Sequence, residues 1–265
     1  MKKLKLLCGW IGYVLLAIGI VYGTLFFVQD EFIFHPNKTY ISPSVAGMPV
    51  FEEVNVGGQV AWFSKGNKQK PAILYFHGNT GQNADFVSLL KPYIKENWAV
   101  YMVEYCGFGK SPGTPSEKCM IENGVKGYDF LKDQGYSSII FHGFSIGTGV
   151  ALGVFEKRKA DGFVLEGAFY SIVQMAKSTF PLPFIGCLLR NKFLSNERIL
   201  NVNVPLLFIH GTDDKTVPYK QGLALYNKAL SLDKTFIGLE KSPHWTGRYG
   251  SFEEIIPWVK KRFVK

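Results

Sequence analysis

Cysteine and histidine are both scarce in this 265-residue chain, and what is missing around them narrows its chemistry. The four cysteines, Cys8, Cys106, Cys119 and Cys187, are too widely spaced for a metal-ligand cluster or a dense disulfide framework, and they read as free or structural. A single Cys106–Cys119 bridge stays open. None of the five histidines stands in H-E-x-x-H, which disfavours a zinc hydrolase. The glycine turn His77-Gly78-Asn79-Thr80-Gly81 lacks the G-x-x-x-x-G-K-S/T pattern, which disfavours nucleotide binding. No fixed-period repeat points to a solenoid. Acidic residues are in deficit, 21 against 30 basic, for a net charge of +9. The positives form no long block interleaved with aromatics, so nucleic acid is not an expected partner. Lys157-Arg158-Lys159 and Lys260-Lys261-Arg262 suit solvated helix ends, and attraction to anionic lipid headgroups is a second use of the charge.

One long uncharged run is present. Residues 6–28 carry no charge and are long enough to cross a hydrocarbon core of roughly 30 Å as one helix. Lys2, Lys3 and Lys5 precede it and Asp30-Glu31 follow, which predicts a cytoplasmic N-terminus and a body on the extracytoplasmic side. A cleaved signal peptide is the competing reading, but the run is long for that role and no A-x-A-like site follows it. Asn37-Lys38-Thr39 is a glycosylation sequon, meaningful where the source has that machinery. The expected organisation is a membrane anchor over 1–28, a juxtamembrane connector over 29–48 and a globular domain over 49–265.

In the globular part, 28 glycines and 13 prolines are spread mainly between short apolar runs, a punctuated pattern that fits one substantial core. Segments 50–56 and 60–63 flank Gly57-Gly58 and predict a hairpin. Segments 72–76, 98–103, 138–141, 162–165, 204–209 and 234–239 predict strands, most of them almost wholly apolar as in parallel strands covered on both faces. Helices are expected over 84–96, from Ser116 through Tyr128, and over 149–157. The alternation predicts a doubly wound, mostly parallel α/β sheet with right-handed crossovers. Residues 168–200 are about twice an ordinary crossover, and Phe180-Pro181-Leu182-Pro183-Phe184-Ile185 breaks them with prolines among large apolar residues. A small helical excursion forming an apolar cap is expected there.

The chemistry centres on Gly143-Phe144-Ser145-Ile146-Gly147, a G-x-S-x-G pentad after an apolar strand. A serine hydroxyl needs a base to take its proton and a third group to orient that base. His244, just beyond the last strand, is the candidate base; His35, His77, His142 and His210 fit connector or loop-buttressing places better. Asp213 and Asp214 both follow a strand end, and either could orient His244 or shape the turn. The chain order Ser, Asp, His places each residue at the carboxyl end of a strand. The backbone amides of Ile146 and Asn79, or of Thr80 beside it, are positioned as oxyanion donors.

At these residues the chain resembles the serine α/β-hydrolase superfamily, and more closely its membrane-anchored branch of Bem46-like and ABHD13/ABHD17-type hydrolases. The resemblance covers about residues 50–262 through His77-Gly78-Asn79-x-Gly81, Tyr105-x-Gly107-x-Gly109-x-Ser111, Pro115-Ser116-Glu117, the pentad, Gly211-x-x-Asp214-x-x-Val217-Pro218 and His244. It implies an α/β-hydrolase fold and Asp214, not Asp213, as the third catalytic group. It also implies Asn79 and Ile146 as oxyanion donors, and no metal or organic cofactor. The expected activity is cleavage of a carboxylic ester or thioester of a lipid or acylated substrate through Ser145, His244 and Asp214. A serine peptidase or amidase is the alternative enzyme reading, and an anchored, non-enzymatic binding protein on the same fold the third. Two departures stand out. Glu104-Tyr105-Cys106-Gly107 replaces the usual Asp-Tyr-Arg-Gly, and Ser242-Pro243 and Trp245 flank His244 where small residues commonly precede it.

Overall fold

The computed structural model describes residues 2–180, 182–246 and 249–264, with only the backbone described for 2–8. Pro181 of the proline break, and the side chains of Lys2, Lys3, Lys5 and Cys8, lie outside that description. The uncharged run forms one helix, α1 (Lys2–Ile33), which continues past Val28 for a further turn. Its Gly9–Ile33 portion is long and apolar enough to cross a membrane. The connector that follows is held to the body by a short parallel pairing of β1 (His35–Pro36) with β5 (Thr80–Gly81).

Between them the hairpin strands β2 (Glu52–Val56) and β3 (Gln59–Ser64) pair antiparallel and lead to β4 (Ala72–Phe76). The expected helix over 84–96 is instead α2 (Asn83–Phe86), a 3-10 turn, and α3 (Lys91–Lys95). Pro92 lies in the first turn of α3, where its missing N–H costs nothing, but it could not continue a preceding helix unbroken. After β6 (Val100–Val103), α4 (Glu117–Asp133) begins at Ser116, whose hydroxyl accepts from the Cys119 amide. Then follow β7 (Ile139–Phe144), α5 (Ile146–Phe155) and β8 (Gly162–Glu166). The 168–200 interval carries three short helices, α6 (Ile172–Thr179), α7 (Ile185–Leu188) and α8 (Ser195–Arg198). The chain closes with β9 (Leu206–Gly211), α9 (Tyr219–Lys228), β10 (Lys234–Leu239) and α10 (Ser251–Phe263).

Eight strands make one sheet in the order β10-β9-β8-β7-β4-β6-β3-β2. From β10 to β6 every neighbouring pair is parallel; only β3 runs against its neighbours. Successive side chains of a strand point to opposite faces, and the core divides accordingly. Leu74, Phe76, Phe141, Leu165 and Phe208 pack on one side, and Ile73, Tyr75, Ile140, Val164 and Ile209 on the other. Parallel strands also end on the same edge of the sheet, so the loops after β4, β7, β8, β9 and β10 converge there.

Cys106 and Cys119 are joined by a disulfide with Cα atoms 6.3 Å apart, settling the pairing that the spacing left open. Cys187 is free and exposed.

Candidate active site

Ser145 sits between β7 and α5 with φ 54° and ψ −122°, a backbone conformation that costs a non-glycine residue energy. The turn is held by backbone bonds on both sides. The Ser145 amide donates to the Glu166 carbonyl at 2.8 Å, and the Ser145 carbonyl accepts from the Thr148 amide and hydroxyl. Glycine is needed at position 147 because a Cβ there would run into the backbone of Phe76 on the adjacent strand. Such close packing of helix on strand is what aims the serine out of the sheet edge.

Asp214 and His244 meet beside this turn. His244 Nδ1 lies 2.6 Å from Asp214 Oδ2, and the imidazole packs 4.9 Å, centroid to centroid, from the ring of Phe144, the residue before Ser145. With Nδ1 donating to the carboxylate, Nε2 keeps the lone pair. The other oxygen, Asp214 Oδ1, accepts from the amides of Thr216 and Val217, both at 2.8 Å. Burial alone would push this carboxyl up, but hydrogen bonds from His210 and His244 and the His244 charge hold it well below the usual carboxylate range. Asp213 points to solvent, and its amide donates to the Ser242 carbonyl. Of the two aspartates, it is Asp214 that reaches the histidine.

Two of the other histidines, His77 and His210, buttress loops. His77 pairs with Glu104 at 3.0 Å and lies 2.7 Å from the Gly78 carbonyl, while His210 Nε2 donates to the Val217 carbonyl at 2.9 Å. Glu104, standing where the resembled family usually has aspartate, also accepts from the Asn83 amide, so it fastens the loop after β4 to the end of β6. Trp245 stacks between Phe86 and Phe144, each 5.3 Å from its ring. Asn79 and Ile146, the two oxyanion candidates, line a cavity of about 320 Å³ together with Ser145. Phe169 and Val217 continue its walls, which are mainly apolar. Among the described residues no three His, Cys, Asp or Glu side chains are placed to hold a metal ion.

The fold is shared with solved structures that include esterases. An esterase of Pyrococcus furiosus superposes with a TM-score of 0.68, covering 88% of this chain and 99% of its own at 17% identity. Est1E of Butyrivibrio proteoclasticus gives 0.68 over 81% of this chain and 100% of its own at 16% identity. No family model matches the chain. Among curated sequences, the lysophosphatidylserine lipase ABHD12 of Danio rerio is 29% identical over 231 residues, 76% of this chain and 60% of that protein. Protein bem46 of Schizosaccharomyces pombe is 27% identical over 202 residues, 73% of this chain and 68% of that protein. The chain has the α/β-hydrolase fold and is similar in sequence to these ABHD12 and bem46 proteins. It spans about 60% of the length of the ABHD12 protein it matches.

One neighbour of the site in this α/β-hydrolase fold escaped the sequence reading. The Glu166 side chain is buried at the end of β8, where Oε1 takes His142 Nε2 at 2.6 Å and Oε2 takes the Thr246 hydroxyl at 2.5 Å. Tyr93 completes the chain, its hydroxyl 2.9 Å from His142 Nδ1. Burial, then the Glu166 charge, hold the Tyr93 phenol in its protonated form, so it donates to Nδ1 and leaves Nε2–H for Glu166. Burial also opposes the charge on Glu166, yet the hydrogen bonds from His142 and Thr246 bring its carboxyl below its ordinary value. Glu166 therefore binds the Ser145 turn through its backbone and the His244 loop through its side chain. A charged residue closing an otherwise apolar, covered strand was the available signal.

Glu166→Gln keeps the shape but gives two buried donors, Thr246 and His142, a single carbonyl to share. Leaving one unsatisfied costs about 1–3 kcal/mol. Loosening the His244 loop is expected to lower kcat by roughly ten- to a hundredfold, with KM for a small ester nearly unchanged. Steady-state kinetics well below the melting temperature check this; a change in KM alone would contradict the positioning role.

Proposed function

We propose that this α/β-hydrolase is a membrane-anchored serine hydrolase that cleaves a carboxylic ester or thioester of a lipid or acylated substrate. The observation that carries the reading is a strained, outward-aimed Ser145 on the wall of an apolar cavity, with the His244–Asp214 pair packed beside its turn. The esterase neighbours and the lipase name of the ABHD12 relative support the same class.

His244 Nε2 takes the Ser145 proton as Oγ bonds to the acyl carbon, and the carbonyl electron pair moves to oxygen. The Ile146 and Asn79 amides stabilise that oxyanion. Collapse of the intermediate breaks the bond to the alcohol or thiol, which leaves with the proton from His244. Water, deprotonated by the same nitrogen, then attacks the acyl-enzyme and releases the acid and the free serine. Asp214 holds the imidazole in the required tautomer and stabilises it when charged.

The anchor is α1, with its N-terminus in the cytoplasm and the body outside. Lysines before the apolar run and Asp30-Glu31 after it support this orientation, as does the Cys106–Cys119 disulfide, which suits an oxidising compartment. A membrane-impermeant fluorophosphonate applied to intact cells tests both parts. Labelling at Ser145 that disappears in Ser145→Ala is expected. No label in lysed cells, with well-folded protein, argues against the chemistry; label only after lysis argues against the orientation.

A further inference from the structure

The cavity that opens from Ser145 is closed on one side by the anchor itself. Leu25, Gln29, Phe32 and Ile33 of α1 line it, facing Met175 and Phe180 of the 168–200 excursion. The helix is bound in place rather than laid loosely against the body. Gln29 donates to the Leu188 carbonyl at 3.1 Å and accepts from the Arg190 amide at 2.7 Å. Asp30 takes Arg190 at 2.5 Å and Asn191 at 2.8 Å, and Tyr22 donates to the Pro183 carbonyl at 2.5 Å. At its end, the Ile33 carbonyl accepts from the side chain of Asn79, the oxyanion candidate.

Length places this wall at the membrane surface. The 32 residues of α1 span about 48 Å at about 1.5 Å each, roughly 18 Å more than a hydrocarbon core of about 30 Å. Of that surplus of about twelve residues, the four at 2–5 are held out of the core by their lysines, which puts the core-crossing stretch at about 6–25 and leaves roughly eight residues, Phe26 to Ile33, beyond it, with Tyr22 and Leu25 at its upper edge. Phe27 and Phe184 stay largely exposed near this junction, where aromatic side chains suit the lipid–water interface. A volume of about 320 Å³ is at the small end of ligand pockets, which run roughly 300–1,000 Å³, and suits one acyl chain.

We propose that the last turns of α1 are part of the acyl-binding site, so that the anchor selects the acyl chain, and that the chain enters between α1 and the excursion from the adjoining leaflet. The proposal rests on the reading of Ser145 as the nucleophile of an acyl hydrolase. Two measurements on the full-length protein in detergent micelles test it. In the first, kcat/KM is compared for p-nitrophenyl palmitate and p-nitrophenyl butyrate. Leu25→Trp fills the wall, and the long-to-short ratio is expected to fall at least about tenfold, the scale of a few lost methylene contacts. Leu16→Trp adds the same bulk on a lipid-facing part of the helix outside the cavity and is expected to keep the wild-type ratio. Equal shifts in both variants, or none in Leu25→Trp, overturn the proposal.

The second measurement needs no variant. A long-chain alkyl fluorophosphonate with a photoreactive diazirine at its far end is reacted with the wild-type protein, irradiated, and its crosslinks mapped by peptide mass. Crosslinks from labelled Ser145 to the 25–33 segment are expected. Labelled Ser145 with crosslinks confined to segments other than 25–33 overturns this inference alone. Absence of label on Ser145 overturns the hydrolase reading instead.

Discussion

Ser145→Ala is expected to lower kcat for an acyl ester by about a millionfold, the loss seen when a serine protease loses its nucleophile, while the fold stays intact. The bonds that shape the turn are made by the Ser145 backbone, to Glu166 and Thr148, and survive the substitution. Alanine pays the same positive-φ penalty as serine, so the melting temperature is expected to move by no more than the small shift of a side chain that carries no structural bond. Any residual rate comes from the oxyanion donors and from substrate binding, which in serine proteases leave roughly 10³–10⁴-fold acceleration over water. Kinetics and thermal melts on the same preparation read both halves. Activity within tenfold of wild type would place the chemistry elsewhere; a collapsed melt would mean that the hydroxyl, not only the backbone, supports the elbow.

Much of the scaffold behind that experiment was legible because parallel strands are covered on both faces and must be apolar throughout. β4 falls at the residues expected, 72–76, and is buried throughout; β10 also falls where expected, at 234–239, although this edge strand opens with Lys234 and Thr235 and is only partly buried. β7 runs three residues beyond the expected 138–141 because Gly143 and Phe144 continue to pair with Leu165 and Glu166, a continuation set by the neighbouring strand. The pairing of His35-Pro36 with Thr80-Gly81 is two residues long and has no periodicity to detect. Glu166 and Thr246 are eighty residues apart, and only the fold brings them together behind the turn.

The anchor shows the limit of hydropathy more sharply. An apolar run reads the same whether its side chains meet lipid, a protein core or a substrate chain. Leu25 and Phe32 differ from Leu16 only in having the 168–200 excursion across from them, about 160 residues away in sequence. Tyr22, Gln29 and Asp30, polar residues near the end of the run, were the local hint that this part of the helix is docked.

Asp214→Asn is expected to cost about 10⁴-fold in kcat, as the equivalent change does in a serine protease, and the bonds around the residue show why. The backbone amides of Thr216 and Val217 both donate to Oδ1, so the asparagine carbonyl will take that place and its NH₂ will face His244. An NH₂ donates, which forces His244 Nδ1 to accept and moves the ring proton to Nε2, the nitrogen that must be empty to take the serine proton. The geometry survives and the tautomer is wrong. Stability supplies an independent readout with a definite sign. The Asp214 carboxyl is held below its ordinary value in the fold, so its contribution is fully present above the unfolded pKa of about 3.9 and lost as pH falls through the folded value. The gap in melting temperature between wild type and Asp214→Asn is therefore expected to be constant from pH 5 to 7, a range chosen to lie above that pKa, and to narrow below about pH 4. A gap independent of pH down to the acid limit would mean that Asp214 gains nothing from its histidine partners, and a kcat within tenfold of wild type would remove it from the proton-handling line.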